Sequence, residues 1–155
     1  MLDKKEMLIL ANLRKNSRET LTKISKQTSI PVSTIYDKLK IYETSFIKKH
    51  TSILDFSKLG YHTRATMLIK VANNYREKLR EHLLLDKSLN TVYRINNGYD
   101  FMLEGIFKEL REVDLFLDKL EKDYGVTEKY VYYIIDEVKK EDFLSSPEYL
   151  KIITN

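Results

Sequence analysis

The sequence predicts an α+β protein in which three short helices precede a βαββαβ sandwich of the ferredoxin-like type. Three observations predict this class. Apolar residues recur at helical spacing over residues 1–45, they alternate with polar residues from Ala65 to Val71, and Asn96-Asn97-Gly98 is a turn signal between two further strand-like runs. A chain of 155 residues suffices for two small domains. We expect a first domain over 1–54, a linker over 55–61, a second domain over 62–140 and a tail over 141–155.

The first helix is predicted from Asp3 to about residue 16. Asp3 followed by Glu6 is typical of a capping box, in which each residue satisfies a backbone donor of the other. The stripe that this helix can bury consists of Ile9, Leu10 and Leu13.

A helix-turn-helix is predicted between Thr20 and Glu43. Thr20 can cap its first helix, and Pro31 breaks the chain because it lacks a backbone donor and disfavours helix at the preceding residue. Ser33 then opens the second helix. The apolar stripes are Leu21 and Ile24 in the first of these helices and Ile35, Leu39 and Tyr42 in the second.

The second of these helices leaves short hydrogen-bonding groups and cations for the solvent. Its candidate base-reading residues are Ser33, Thr34, Tyr36, Asp37, Lys38 and Lys40. A helix that lies in the major groove of DNA needs such groups near its N-terminus, where they meet base edges. A compact helical hairpin with a solvated polar face has the same pattern, and the two interpretations stay open.

Residues 46–54 are rich in β-forming types and include two lysines. We expect a small hairpin here, the wing of a winged helix-turn-helix, in which Lys48 and Lys49 contact phosphate groups. Lysines on an edge strand also prevent aggregation, which is the alternative role for this pair.

The second half alternates strands and helices in the order of a split βαβ fold. The predicted elements are strands over 65–71, 92–95, 99–107 and 130–138, and helices over 75–85 and 110–124, the second of which Gly125 ends. The last strand is apolar or aromatic on both faces, so we expect a second copy of the chain to cover it. The tail after Lys139 has no predicted role.

Charge is distributed unevenly along the chain. Residues 1–60 hold 12 Lys and Arg against 6 Asp and Glu, a net charge of +6, whereas residues 61–155 hold 15 against 17, a net charge of −2. This asymmetry is expected when only the first part of a protein meets a polyanion such as DNA.

Several other chemistries find no support in the sequence. With no cysteine, no apolar run of membrane-spanning length and no signal-peptide core, we expect a cytoplasmic protein. His50, His62 and His82 are not spaced as metal ligands, and no nucleotide-binding glycine motif or nucleophilic serine motif is present. We therefore expect no enzyme activity, no metal and no cofactor.

The order of these elements resembles the Lrp/AsnC (feast/famine) transcription regulators over nearly the whole chain. The resemblance is carried by Leu2-Asp3, Ile9-Leu10 with Leu13, Arg18, Ile30-Pro31, Ser33-Thr34-Ile35-Tyr36, Leu39-Lys40, Phe46-Ile47, Leu59-Gly60-Tyr61, Asn97-Gly98-Tyr99-Asp100-Phe101, Gly125-Val126 and Val138-Lys139. It implies a prokaryotic, DNA-binding regulator that forms a homodimer through its second domain, often assembles further into tetramers or octamers, and in many cases responds to an amino acid or a related small metabolite. Two-fold symmetry predicts a palindromic operator.

The resemblance also implies an effector site between dimers, near Asn97, Gly98, Tyr99 and Asp100. Gly98 lets a ligand approach the backbone, and Asp100 is expected to meet an α-ammonium group. Both residues also fit an ordinary hairpin turn. Val131 stands where the family often has threonine in the effector pocket, so an effector-independent regulator is an open alternative.

Two further departures from the family concern the first domain. Ser45 stands where a glycine usually precedes the wing, so the junction between helix and wing is expected to differ. Asp37-Lys38 replaces a pair of arginines that many members have in the recognition helix. A carboxylate there repels phosphate but can accept a hydrogen bond from the amino group of cytosine.

Two other functions remain compatible with the sequence. A nucleoid-architectural protein that wraps DNA with little sequence preference would use the same helix and basic wing. Sirohaem decarboxylase subunits resemble this family in architecture and use histidine and arginine near a tetrapyrrole, for which His62, His82 and Arg94 are the candidates here.

Overall fold

The computed structural model describes residues 2–148, and the chain forms two compact units. One unit, the helical unit, combines the residues before Leu54 with those from Val138 onward. The other, the sheet unit, spans Leu54–Glu137. None of the helices in the described part of the chain is long and apolar enough to cross a membrane.

Three helices make up most of the helical unit, with bounds close to those predicted. They are α1 (Lys4–Lys15), α2 (Leu21–Thr28) and α3 (Val32–Ser45). Asp3 and Glu6 form the predicted capping box, and the side chain of Thr20 accepts a hydrogen bond from Lys23 N. Ser29 adopts the left-handed conformation (φ 57°), which turns the chain toward Pro31, the N-cap of α3. The predicted helix-turn-helix is confirmed.

The core of the helical unit receives one fully buried isoleucine from each helix. These residues are Ile9, Ile24 and Ile35. Tyr42 joins them from the second half of α3, so α3 is anchored to the other two helices along the stripe predicted from its sequence.

The predicted wing hairpin is not formed. Residues 47–55 contain neither helix nor strand, and the backbone N–H of Ile47 donates to the carbonyl of Tyr42 at the end of α3. A hairpin needs two to five residues that can reverse the chain, usually glycine, asparagine or aspartate. The sequence between Phe46 and Leu54 has none of these, so its β-forming residues remain an extended segment.

The sheet unit has the predicted βαββαβ order. Its elements are β1 (Thr63–Val71), α4 (Arg76–Leu85), β2 (Leu89–Arg94), β3 (Phe101–Phe107), α5 (Leu110–Tyr124) and β4 (Val126–Tyr133). The strands form one sheet in the order β2-β3-β1-β4, with every neighbouring pair antiparallel. This is the ferredoxin-like arrangement expected from the sequence.

Alternate residues of the two central strands face the helices. Met67, Ile69 and Leu103 are fully buried, and they pack with Leu79 of α4 and Leu120 of α5 in a single hydrophobic core. The opposite set of residues forms the second face of the sheet, which we call the open face, because α4 and α5 both pack on the first.

The fourth strand begins and ends earlier than the predicted range of 130–138. Gly125, in the left-handed conformation (φ 63°), ends α5, and its carbonyl accepts a hydrogen bond from Ala72 N, so pairing with β1 starts at once with Val126. At the other end, Ile134 N donates to Arg64 O at the first residues of β1. Beyond Ile135 the chain becomes charged at Asp136 and Glu137, so the strand ends close to the point where the apolar run ends.

The described residues that follow the sheet unit, up to residue 148, pack in the helical unit. Val138 onward belongs to the helical unit, and Leu144 packs against Leu8 and Ala11 of α1. Residues 149–155 of the predicted tail lie outside the described residues. No role was predicted for this segment.

Candidate DNA interface and effector loop

The solvent-exposed side of α3 carries most of the predicted base-reading residues. Ser33, Tyr36, Asp37 and Lys40 are all exposed and recur at three- and four-residue intervals, so they share one face of the helix. The Lys40 ammonium lies 4.5 Å from the centroid of the Tyr36 ring, a distance at which cation and ring attract each other. Thr34 is also exposed, in the first turn.

Lys38 lies apart from this face. Its ammonium forms an ion pair with the carboxylate of Glu6 in α1, and the side chain is only 31% exposed. The hydrogen bond from Lys38 lowers the pKa of Glu6. Lys38 therefore ties α3 to α1 and does not extend toward a ligand of the exposed face.

The same region buries a phenol. Burial, and next the negative charge of Glu6, raise the pKa of Tyr42 to about 12. Tyr42 is 2% exposed and contacts Phe46 edge to face at 5.8 Å between ring centroids. The side of α3 that faces the protein is thus fixed by Ile35, Lys38 and Tyr42, while the opposite side is free to bind.

The two lysines of the predicted wing are exposed in the extended segment after α3. Neither Lys48 nor Lys49 forms an ion pair with a described residue. His50, the next residue, lies 3.6 Å from the carboxylate of Glu43 near the end of α3, which holds the segment close to this helix. The cations are therefore available for phosphate contacts although no hairpin presents them.

The turn between β2 and β3 is built on positive backbone angles. Asn97 has a φ of 66° and Gly98 a φ of 94°, and the position where a Gly98 Cβ would stand has no atom within 4 Å. Asp100 closes the turn, since its carbonyl accepts a hydrogen bond from Ile95 N. The backbone of this loop is open to the surroundings.

The carboxylate of Asp100 is already occupied within the chain. One oxygen accepts a hydrogen bond from Val71 N at 2.9 Å, and the other forms an ion pair with Arg76 at 2.7 Å. Asp100 thus joins the loop to the end of β1 and to the start of α4. An α-ammonium group would have to compete with both partners.

Tyr99 and Val131 lie on opposite faces of the sheet. Tyr99 contacts Tyr130 edge to face at 5.8 Å, and burial, with Tyr130 and Glu128 nearby, raises its pKa. Val131 is paired with Met67 and packs against the core on the helix side. The structure therefore brings Asn97, Gly98, Tyr99 and Asp100 together and leaves Val131 apart from Tyr99.

Solved structures of bacterial regulators share this fold. LrpC of Bacillus subtilis matches with a TM-score of 0.81 and 21% identity, covering 90% of this chain and 98% of that one. AsnC of Escherichia coli matches with a TM-score of 0.80 and 13% identity over 90% and 96%. A transcriptional regulator of Neisseria meningitidis in complex with L-methionine matches with a TM-score of 0.83 and 19% identity over 90% and 94%.

Curated relatives have a higher sequence identity to this chain than these solved structures do. An uncharacterised HTH-type transcriptional regulator of Pyrococcus abyssi is 30% identical over 148 residues, which are 95% of this chain and 100% of that protein. The HTH-type transcriptional regulator FL11 of Pyrococcus furiosus is 30% identical over 142 residues, 91% of this chain and 93% of that one. The chain belongs to the Lrp/AsnC family of HTH-type transcriptional regulators. No family model matches it.

The Lrp/AsnC family is a family of non-enzymatic transcriptional regulators. Thr63 pairs with one end of β3 at Phe107, and Arg94 pairs with the other end at Phe101, so His62 and Arg94 lie at opposite ends of the strand, about 20 Å apart. His82 stacks on Tyr124 between the helices at 4.2 Å. The structure therefore does not bring His62, His82 and Arg94 together within the chain.

Some residues of this Lrp/AsnC chain were missed by sequence reasoning. Ile41 and Thr44 extend the exposed face of α3, and the helical spacing from Asp37 and Lys40 could have identified them. Arg76, the partner of Asp100, follows two asparagines with no distinguishing pattern. Its pairing depends on the register of β1 against β3, which no local signal encodes.

Proposed function

We propose that this Lrp/AsnC regulator recognises a specific DNA sequence through the exposed face of α3. One observation carries the proposal: α3 is fixed on one side by buried contacts and by Lys38, and presents Ser33, Tyr36, Asp37 and Lys40 on the other. Short hydroxyl and carboxylate groups discriminate base edges, whereas Lys48 and Lys49 supply contacts to phosphate without sequence information. The cytoplasm is the compartment in which such a regulator meets its DNA.

Asp37 favours a specific regulator over a nucleoid-architectural protein. The residue is exposed on the same face as Lys40 and forms no ion pair with a described residue. An unpaired carboxylate weakens binding to any phosphate backbone, so it is unfavourable in a purely electrostatic binder. It is useful when the partner is a base that offers a donor, such as the amino group of cytosine.

We also propose that two copies of the chain pack through the open face of the sheet. Apolar and aromatic side chains on this face are Leu68, Tyr93, Met102, Ile106, Tyr130 and Tyr132. A patch of this size and character is a liability in a monomer, and its burial would supply the main driving force for a dimer. Dimers of this kind would then assemble into tetramers or octamers, as the resemblance to the family implied.

The loop of Asn97, Gly98, Tyr99 and Asp100 is our proposed effector contact, with an amino acid as the ligand class. The Neisseria relative is a complex with L-methionine, and a feast or famine regulatory protein of Mycobacterium tuberculosis with a TM-score of 0.78 is also complexed with L-methionine. Open space at Gly98 would let a ligand carboxylate reach the loop amides. Because Asp100 is occupied, the ammonium group must either displace Arg76 or find another acceptor.

Selection from randomised duplex DNA at fixed moderate salt tests the first proposal. The expected result is an enriched, roughly palindromic sequence with half-sites about 10 bp apart or a multiple of this. Binding without enrichment would establish an architectural protein, and the ratio of specific to non-specific affinity distinguishes the two. Absence of DNA binding by the full chain would refute both.

Two measurements test the assembly and the effector. Leu68→Asp, at the centre of the open face, should convert the oligomer to monomer in sedimentation experiments, whereas Leu84→Asp on the outer surface of α4 should not. A thermal-shift screen of amino acids should raise the melting temperature with at least one ligand. If no amino acid does so, the regulator is effector-independent.

A further inference from the structure

The first helix is apolar on two sides, and only one of them faces the other two helices. Ile9 and Leu13 face α2 and α3 in the core, but Leu8 and Ala11 are also buried, at 9% and 1% exposure. A helix with buried apolar residues on two sides must be covered on both of them. Residues from a distant part of the sequence cover this outer side of α1.

Residues 141–148, which we call the strap, contact the outer side of α1. The half-buried side chain of Leu144 packs against Leu8 and Ala11, with Met7 beside them. Arg14, near the end of α1, forms an ion pair with Glu141 at 2.7 Å and also donates to the carbonyl of Phe143. Lys15 at the end of α1 forms a longer ion pair, at 3.7 Å, with Glu148. One apolar contact and three polar contacts therefore hold the strap on one helix.

The strap adopts a backbone that its own residues do not favour. Glu141 and Leu144 have φ angles of 51° and 59°, in the left-handed region that residues with a Cβ seldom occupy. Such conformations persist when the surrounding contacts require them. A turn in which Ser145 binds Asp142 through its hydroxyl at 2.6 Å places Leu144 toward α1.

The same helix supports the recognition helix on its other side. Glu6, in the first turn of α1, forms an ion pair with Lys38 of α3, and Ile9 packs with Ile35 in the core. We propose that the strap completes the DNA-binding unit: by closing the outer side of α1, it stabilises the helix against which α3 is anchored. The part of this inference that concerns DNA affinity depends on the proposed function, whereas the part that concerns the folding of α1 does not.

Leu144→Asn is the most informative variant. Asparagine tolerates the left-handed conformation better than leucine, so the change relieves the backbone and removes only the apolar contact. Phe143→Asn is the matched control, because Phe143 is the adjacent residue and its side chain is 80% exposed. If the strap did not stabilise α1, Leu144→Asn would leave the stability of the helical unit unchanged or would increase it.

Hydrogen exchange measured on the full chain tests this inference. Leu144→Asn should accelerate amide exchange in residues 4–15 by at least about fivefold and leave β1 and β3 unchanged, and Phe143→Asn should leave both regions unchanged. Arg14→Gln, a milder variant, should accelerate exchange in α1 by about twofold. Unchanged exchange in α1 for both Leu144→Asn and Arg14→Gln would overturn the inference, as would an equal effect of Phe143→Asn.

DNA affinity separates the two proposals. If the wild-type chain binds an enriched operator, Leu144→Asn should weaken that binding more than Phe143→Asn does. If the wild-type chain binds no DNA but Leu144→Asn accelerates hydrogen exchange in α1, the proposed function is refuted and the inference that the strap stabilises α1 is retained. If Leu144→Asn accelerates hydrogen exchange in α1 but binds the operator as tightly as Phe143→Asn does, the strap has no effect on α3 and that part of the inference is refuted.

Discussion

Replacing Asp100 by alanine should destabilise the sheet unit in the absence of any ligand. The carboxylate is 17% exposed and has two partners within hydrogen-bonding distance. Loss of an acceptor leaves the amide of Val71 without its charge-assisted hydrogen bond, a cost of about 1.5–2 kcal/mol. The ion pair with Arg76, whose side chain is 36% exposed, adds only about 0.5–1 kcal/mol because solvent screens it.

These contributions give a loss of about 2–3 kcal/mol in the free energy of unfolding. For a unit of the size of Leu54–Glu137, this corresponds to a fall of about 10–20 °C in the melting temperature. Differential scanning calorimetry of the full chain would measure it, with Asp118→Ala on the exposed side of α5 as the control, for which we expect a change within about 0.5 kcal/mol. A melting temperature that is unchanged in Asp100→Ala would refute the structural role and restore Asp100 as a free ligand for an ammonium group.

Three other predictions concern different parts of the molecule. Burial, and next the charge of Lys119, lower the pKa of His82, so the unfolded chain takes up a proton at higher pH than the folded chain. The sheet unit should therefore lose stability as pH falls from about 6.5 toward the folded pKa, and His82→Phe, which retains the stack on Tyr124, should remove this dependence of the urea midpoint. Gly125→Ala should lower the melting temperature more than Gly98→Ala does, because both have a positive φ but only the Cβ at 125 would meet Tyr75, at 2.7 Å. Lys40→Ala should weaken operator binding and reduce the slope of log K against log salt by about 1, while Lys87→Ala, an equal loss of charge in the sheet unit, should leave both unchanged.

Local patterns predicted the elements well wherever a cap or a turn residue marks a boundary. Asp3 with Glu6, Thr20 and Gly125 each end or begin an element at the expected place. The wing was predicted from β-forming residues alone, and it fails because the segment between Phe46 and Leu54 has no glycine, asparagine or aspartate to form a tight hairpin turn. The start of β4 was set from a distance, since pairing with β1 begins at Val126, directly after Gly125 and before the apolar run that the sequence shows.

The candidate sites were predictable to a similar extent. Helical spacing identifies which residues of α3 share a face. The prediction placed Lys38 among the base-reading residues, because its ion pair with Glu6 depends on how α1 packs beside α3 and no local pattern shows it. The turn at Asn97-Gly98 was clear from composition. The partners of Asp100 and the position of Val131 on the core side follow from strand register, which a single sequence does not specify.

The strap also determines when this protein can finish folding during its synthesis. Arg14 and Phe143 are 129 residues apart in the chain, so α1 leaves the ribosome long before its outer side can be covered. At about 5–20 residues per second, that interval lasts roughly 6–26 s, within which the sheet unit between them is made as well. The three helices that form the first part of the chain are thus among the last to acquire all their contacts. A chain truncated after the sheet unit would have a DNA-binding unit in which the outer side of α1 is exposed to solvent.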